Sequence, residues 1–490
     1  IRTEIMKKKN ILVGHTALIS WIAVCIITIT GCEKFIDVPS PATSINAENI
    51  YTSDETAISV LTSVYAAMSS DNSSIGNTTG SGLSGMTLYP GLAGDEFTVA
   101  DGLATTHNAY LYYKNKLESG LTGTKDFWVS AYATIYTANA AIGGLTNAPK
   151  LTPAIRQQLL GEAYFIRAFS YFYLVNLYGN IPKVLSTNYD ATFDLPNSPK
   201  EEIYQLIIND TKQAQALLSE NYLDATLLKT TTERVRPNKF AATALLARIY
   251  LYQGDWKNAE GQATAVIENR VAYDTVSLNN VFLKNSKETI WSLQPVTVST
   301  LANTGDGRLF IPSTTTFPTS TNFVYLSPSL LSAFEPRDNR FKNWAKSIVS
   351  GSTTYYYPYK YKIGTVNATA PSEYLMVLRL GEQYLIRAEA RAKQLNLNGA
   401  LSDLNGMRRR AGLPGSSAAG EANILNAIYH ENQVEFFAEW GHLKRTGLIN
   451  SVMPAVATQK GTTWNASWAL FPIPATDVLR DPNLIQNPGY

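Results

Sequence analysis

Apolar residues recur at three- and four-residue spacing over most of this chain, which predicts amphipathic helices rather than strands. Ile50, Ala57, Leu61, Val64, Tyr65 and Met68 place a first helix over Ala47 to Ser70, followed by a Ser/Gly/Asn/Thr-rich loop from Asp71 to Thr87. Phe127, Trp128, Ala131, Ile135, Ala138 and Ile142 form one stripe of a helix over 126–143. Thr152 before Pro153 reads as an N-cap with proline at the first helical position, and Gly179, Asn180 and Pro182 stop that helix after Tyr178. Ser198, Pro199 and Glu201 read as a capping box with proline at N1, opening a helix whose face is Ile203, Leu206, Ile207, Ala214, Leu217 and Leu218.

Two helical pairs carry the sharpest pattern. Asn238 to Gln253, a Gly254-Asp255 turn and Trp256 to Glu268 make the first, with Ala241, Ala244, Ala247, Ala259 and Ala263 small enough for close approach. A related pair runs from Leu380 to Arg410, turning at Asn396 to Gly399. Both have about the length of a tetratricopeptide repeat. The expected fold is therefore dominated by α-helix, with a tetratricopeptide-like repeat core over about 126–270 and 378–440. From 272 to 374 the texture changes to Thr, Ser, Asn, Gly, Pro and aromatics, with helical period only over Ser329 to Phe334. That stretch, with 71–125, predicts a loop-rich face with short strands; long irregular segments in a compact domain are commonly functional.

The first 32 residues have a different character. Lys7, Lys8 and Lys9 precede an apolar run from Ile11 to Thr30, which ends in Ile29-Thr-Gly-Cys32. This reads as a bacterial lipoprotein signal over 1–31, with Met6 as the start and Cys32 as the acylated first residue of the mature chain. A stretch of about 20 apolar residues would also span a bilayer. The run instead stops at Gly31-Cys32 and is followed by acidic Glu33, without a basic stop-transfer cluster. Several acyl chains on Cys32 would make a firm anchor. Residues 32–46 then form a tether stiffened by Pro39 and Pro41, and 47–490 a single domain.

Charge and cysteine usage narrow the chemistry. The whole chain has 41 Lys+Arg against 39 Asp+Glu. Removing Arg2, Lys7, Lys8, Lys9 and Glu4 with the signal leaves 37 against 38, net −1. A nearly neutral surface argues against a nucleic-acid partner. Cys25 leaves with the signal and Cys32 is acylated, so the mature chain keeps no thiol for a disulfide, nucleophile or metal site. His430-Glu431 starts like a zinc-protease helix, but position 434 is Val. Gly82-Leu-Ser84-Gly-Met86 lacks the last glycine of a nucleophile elbow. No histidine cluster for a metal stands out, and no catalytic constellation is legible. A glycosidase carboxylate pair, ~5 to 9 Å apart in space, leaves no mark in sequence; Asp95-Glu96 reads as cap or turn.

Arg167, Arg248 and Arg387 lie within apolar helices and read as buried ion-pair residues, with Glu162 and Glu389 as candidate partners. Tyr164, Phe165, Phe169, Phe172 and Tyr173 read as core.

An ordered set of segments resembles the SusD/RagB family of Bacteroidetes outer-membrane lipoproteins. It comprises Cys32-Glu-Lys-Phe-Ile-Asp-Val, Arg167-Ala-Phe-Ser-Tyr-Phe-Tyr-Leu-Val-Asn-Leu-Tyr-Gly with Ile181-Pro182, and Ala244-Leu-Leu-Ala-Arg-Ile-Tyr-Leu-Tyr. Leu378-Arg-Leu-Gly-Glu-Gln-Tyr-Leu-Ile-Arg-Ala-Glu-Ala, Glu431-Asn-Gln-Val-Glu-Phe, Phe471-Pro-Ile-Pro and Asn483-Leu-Ile-Gln-Asn-Pro-Gly-Tyr complete it. The segment from Glu439 to Gly447 is shorter than the family pattern. The resemblance implies tetratricopeptide-like helical pairs carrying a loop-rich ligand face. It also implies a non-enzymatic, surface-exposed lipoprotein that captures oligosaccharides and serves as the lid of a SusC-like TonB-dependent outer-membrane transporter. Peptide cargo is the alternative within that arrangement, and a surface glycoside hydrolase the alternative outside it. The resemblance implies no cofactor, though it leaves a structural calcium open. It places ligand contacts after Gly94-Asp95-Glu96 and near 300–325, where Thr98, Asp101, Tyr110, Tyr112, Arg308, Phe310 and Phe323 are the candidates. The first of these loops has no Trp, which argues against a starch-like glucan.

Overall fold

A computed structural model describes residues 50–69, 83–120, 122–296, 304–319, 322–364, 370–437 and 445–490. The chain divides into two units between Ile50 and Tyr51, and the second, Tyr51–Tyr490, carries every element below. Cys32, the signal, the tether and most of the segment 439–447 lie outside the described residues.

The first half is helical. It runs through α1 (Asp54–Ser69), α2 (Ser84–Ala93), β1 (Phe97–Val99), α3 (Asn108–Tyr113), α4 (Thr122–Thr146) and α5 (Pro153–Tyr178). The short strands β2 (Ile181–Pro182) and β3 (Asn197–Ser198) precede α6 (Lys200–Leu217), α7 (Lys239–Gln253) and α8 (Trp256–Glu268). The irregular middle contains β4 (Thr289–Leu293), α9 (Gly305–Phe310), β5 (Val324–Leu326), α10 (Pro328–Ala333) and α11 (Asn339–Trp344). A hairpin of β6 (Ala345–Ser350) and β7 (Thr353–Pro358) and the strand β8 (Leu375–Arg379) follow. The chain finishes with α12 (Leu380–Lys393), α13 (Leu397–Arg410), α14 (Glu421–Phe436), α15 (Ile449–Gln459) and α16 (Ala475–Arg480).

Helices pack in sequence, α4 on α5, α5 on α6, α6 on α7 and α7 on α8; α8 then meets α12, which pairs with α13. This is the expected array of helical pairs. Alanine lets α7, α8 and α12 close on one another: Ala247, Ala259, Ala263 and Ala390 are all fully buried in one cluster with Leu246 and Ile386. Gly254 ends α7 in the left-handed conformation (φ 71°), and the Asp255 carboxylate accepts from the Asn258 N–H to open α8. Leu385, Ala388, Leu404 and Ile428 hold α12, α13 and α14 together.

Local details differ from the expectations. The first α-helix begins at Asp54, after a 3-10 turn over Ile50–Thr52, where the Ser53 hydroxyl accepts from the Thr56 N–H at 3.3 Å; residues 47–49 lie outside the described set. The Asp54 carboxylate accepts from the Thr152 N–H at 2.9 Å and the Thr152 hydroxyl at 2.7 Å. Thr152 is the N-cap position of α5, yet its hydroxyl is spent on α1 and does not cap. The capping box at Ser198 does not form. Ser198 pairs with Ile181 in a strand and Pro199 is itself the N-cap, since a residue preceding proline is pushed to extended backbone. Helices α2 and α3 stand where a loop was expected; α2 contains Gly85, Gly91 and Pro90, which mask its period, and α3 is only six residues long.

The buried arginines are ion-paired as expected, but with other partners. Arg167 binds Asp210, Arg248 binds Glu382 and Arg387 binds Asp403. Glu162 is taken by Arg236 (2.7 Å) and Tyr65 (2.8 Å), and Glu389 by Arg445 (2.7 Å). Phe165, Phe169 and Phe172 are buried in the core, while Tyr164 and Tyr173 are half-buried at its edge.

Candidate ligand-binding cleft

The cleft grows from one pair of strands. Alternation in Phe97-Thr-Val99 and Val324-Tyr-Leu326 sends Phe97, Val99, Val324 and Leu326 into the core and leaves Thr98 and Tyr325 half-buried on the opposite face. The strands are antiparallel and register Thr98 opposite Tyr325. Thr98 and Tyr325 thus form one cross-strand pair at the mouth of a cavity of about 440 Å³.

Each remaining wall has its own anchor. Ser327 donates to the Asp95 carbonyl and accepts from the Leu330 N–H, capping α10, while its own N–H binds the Glu96 carbonyl at 2.8 Å. Ser329 on the first turn of α10 donates to the Asp95 carboxylate at 2.8 Å, and Ser332 lies one turn on. Asp95 is 8% exposed. On the far side, α15 supplies Val456 and Gln459 and ends at Lys460.

Lys460 is 5% exposed and caps another helix. Its ammonium donates to the carbonyls of Leu92 (2.7 Å), Ala93 (3.3 Å) and Gly94, the C-terminal end of α2, where the helix dipole favours a cation. Burial pulls this lysine down to about 7; Asp95 opposes that shift and Lys114 reinforces it. Lys114 in turn donates to the Lys460 carbonyl and lies over the rings of Tyr110 (5.7 Å) and Tyr113 (5.5 Å).

The aromatic part of the wall is Tyr113 and Tyr325. Tyr325 meets Tyr355 edge-on at 5.0 Å and Phe317 at 6.3 Å, so the hairpin strand β7 extends the aromatic surface. Burial, assisted by Asp101, pushes the Tyr325 hydroxyl up to about 12. Tyr113 is raised by burial too, with Thr98 acting against the shift and Asp101 adding to it. Both hydroxyls are therefore neutral donors and acceptors at physiological pH.

The candidates read from the sequence fall into three groups. Thr98 lines the cleft, exposed Asp101 acts on Tyr113 and Tyr325, and half-buried Tyr110 sits one turn away at Lys114. Tyr112, Phe310 and Phe323 point into the core, against Tyr89 (4.3 Å), Phe97 (5.1 Å) and His107 (4.9 Å) respectively. Arg308 is half-buried on α9, and its carbonyl accepts from Asn322 at 3.2 Å. The structure adds Tyr113, Tyr325, Ser329, Gln459 and Lys460 to the cleft. Strand alternation was the one sequence signal available, for Tyr325.

Two other cavities are less informative. One of about 330 Å³ is lined by Phe310, Lys360, Arg379 and Phe437, among others. Another of about 710 Å³ follows α1 from Glu55 to Ala66. Among the described residues no group of three or more His, Cys, Asp or Glu is gathered to hold a metal, and no helix is long and apolar enough to cross a membrane. The zinc-protease-like fragment is structural: the Glu431 carboxylate accepts from fully buried Arg340 at 2.6 Å, and the His430 ring meets the Ala333 carbonyl at 2.8 Å.

Comparison with known proteins agrees with this architecture. A family model described as starch-binding and associating with the outer membrane matches residues 91–251, and the SusD family model matches 341–445. The chain belongs to the SusD/RagB family. A SusD-like protein P2 of Formosa agariphila is 28% identical over 419 residues, 74% of this chain and 80% of its own. Among solved structures, a SusD superfamily protein of Bacteroides vulgatus aligns with TM-score 0.75 at 20% identity, covering 90% of this chain and all of its own. Surface glycan-binding protein A of Bacteroides thetaiotaomicron, solved with laminarihexaose, aligns with TM-score 0.73 at 18% identity, covering 89% and 100%. Helix-dominated, tetratricopeptide-like architecture is thus common to this SusD/RagB protein and its structural neighbours.

Proposed function

We propose that this SusD/RagB protein is a cell-surface lipoprotein that binds oligosaccharides in the cleft between β1, β5, α10 and α15, and passes them to a TonB-dependent outer-membrane transporter for which it is the lid. The observation that carries the binding role is the pairing of Thr98 with Tyr325 beside Tyr113, Ser329, Ser332 and Gln459. Sugar rings lay C–H faces on aromatic rings, and their hydroxyls need neutral, directional partners of this kind. Structural neighbours named for laminarin binding support a glycan cargo. Anchoring through acylated Cys32 completes the reading.

Capture without cleavage fits the cleft better than hydrolysis. A glycosidase needs two carboxyl groups across the scissile bond. Among the described residues Asp95 is the only carboxylate in the wall, and it is held by Ser329. The test is calorimetry on residues 33–490 against a glycan array and a peptide library, with each ligand analysed afterwards for cleavage. Saturable binding of an intact oligosaccharide, lost on Tyr325→Ala, is the expected result. Peptide-only binding would replace the cargo, and cleaved ligand would replace the binding role by an enzymatic one.

A further inference from the structure

The cleft has a charge character that selects among glycans. We infer that it takes neutral oligosaccharides and rejects those bearing uronate carboxylates or sulfate esters, an inference that rests on the glycan-binding reading above.

Recognition of anionic sugars calls for a cation facing the ligand, typically arginine or lysine with donors to spare. Among the described residues the only cation lining this cleft is Lys460, and its donors are taken by the Leu92, Ala93 and Gly94 carbonyls, none of which belongs to the lining. An ammonium has three protons, and three acceptors occupy them. Lys114 donates to the Lys460 carbonyl and rests on the Tyr110 and Tyr113 rings. Lys460 therefore ties the end of α15 to the end of α2 with its donors occupied, and Lys114 is not part of the cleft lining. Burial also lowers the charge that Lys460 carries near neutral pH.

What faces the cavity instead is neutral or negative. Thr98, Tyr113, Tyr325, Ser329, Ser332 and Gln459 supply hydroxyls and an amide. Asp95 lines the wall, and Asp101 is close enough to raise both tyrosines. An anionic sugar would meet the Asp95 carboxylate in the wall, and the field of Asp101 acting on the two tyrosines, with no free cation in the lining.

The test uses residues 33–490 and calorimetry with neutral glucose, mannose and galactose oligosaccharides, each beside the same backbone oxidised to C6 carboxylates or esterified with sulfate. At least one neutral series should bind, with little response to salt, and its charged counterparts should bind roughly tenfold more weakly, the scale of one or two unpaired charge contacts near a surface. Gln459→Lys and, separately, Ser332→Lys place a cation at exposed positions of the wall. Each should raise the charged-to-neutral affinity ratio several-fold. Charged forms that bind the wild-type protein as well as neutral ones, and lose binding on Tyr325→Ala, would overturn neutral selection while leaving glycan capture intact. A ratio unmoved by both lysine variants would also overturn it. Absence of binding by any sugar to the folded protein would overturn both readings together.

Discussion

Arg167 on α5 grips Asp210 on α6 through two bonds, Nε to Oδ2 at 2.7 Å and Nη2 to Oδ1 at 2.8 Å, and its remaining Nη1 reaches Asn139 of α4 at 2.8 Å. One buried guanidinium thus sets three consecutive helices relative to one another. A directional buried pair of this kind can fix the register of the helices it joins. Asp210→Ala should destabilise by about 3–5 kcal/mol, because it strands a buried charge, whereas Arg167→Met with Asp210→Leu should cost far less. Urea denaturation of the two variants measures this. Equal losses would mean that Arg167 finds another partner.

Lys460 is the corresponding tie between α15 and α2. Lys460→Met removes the donor from three main-chain carbonyls and should cost about 1–3 kcal/mol. The effect has a pH signature. With the folded group pulled down to about 7 and an unfolded lysine near 10.4, the unfolded chain binds the extra proton between those values. Stability from Lys460 is therefore complete above that window and falls as pH drops towards 7. The gap in unfolding free energy between wild type and Lys460→Met should widen from pH 7 to pH 9.5. A gap that narrows would show the ammonium to be the favoured form in the folded protein.

How far the sequence anticipated this structure depended on the range of the interaction. The α7–α8 pair was legible because its signals are local: Asn238 and Asp255 accept from N–H groups three residues on, and Gly254 sits between them. Ser198 looked equally local, but strand pairing with Ile181 and the backbone restriction before Pro199 overrode it. Partner choice was illegible. Glu162 lies five residues from Arg167 in sequence, yet Arg236, 74 residues away, holds it. The cleft shows the same division. Thr98, a candidate from the resemblance at the loop after Gly94-Asp95-Glu96, lines the cavity, whereas nothing near Lys460 in sequence indicates that its ammonium reaches back to Leu92.

Gly254 offers a test of the repeat turn alone. Its φ of 71° lies where a side chain clashes with its own backbone, and an added Cβ would find Trp256 at an ordinary 3.5 Å. Gly254→Ala should therefore cost about 1 kcal/mol from backbone strain, with no loss of packing. Asn tolerates this conformation better, so Gly254→Asn should cost less than Gly254→Ala. Thermal melts of the two variants decide it, and the reverse order would mean that crowding against Trp256 outweighs the backbone strain.

The proposed binding role gives Tyr325 two contributions that substitution separates. Its ring, flanked by Tyr355 and placed opposite Thr98, offers a stacking surface, while its hydroxyl, held neutral with a value near 12, offers one hydrogen bond. Tyr325→Phe keeps the ring and should weaken oligosaccharide binding by about 0.5–1.5 kcal/mol, the net worth of one hydrogen bond. Tyr325→Ala removes the ring as well and should weaken it by a further ~1 kcal/mol or more. Because the hydroxyl stays protonated, the Phe-to-wild-type affinity ratio should be flat from pH 6 to pH 9. Calorimetric titration of both variants at three pH values measures all of this. Indistinguishable affinities for wild type and Tyr325→Ala would remove this strand pair from the binding site and move the search to the neighbouring cavities.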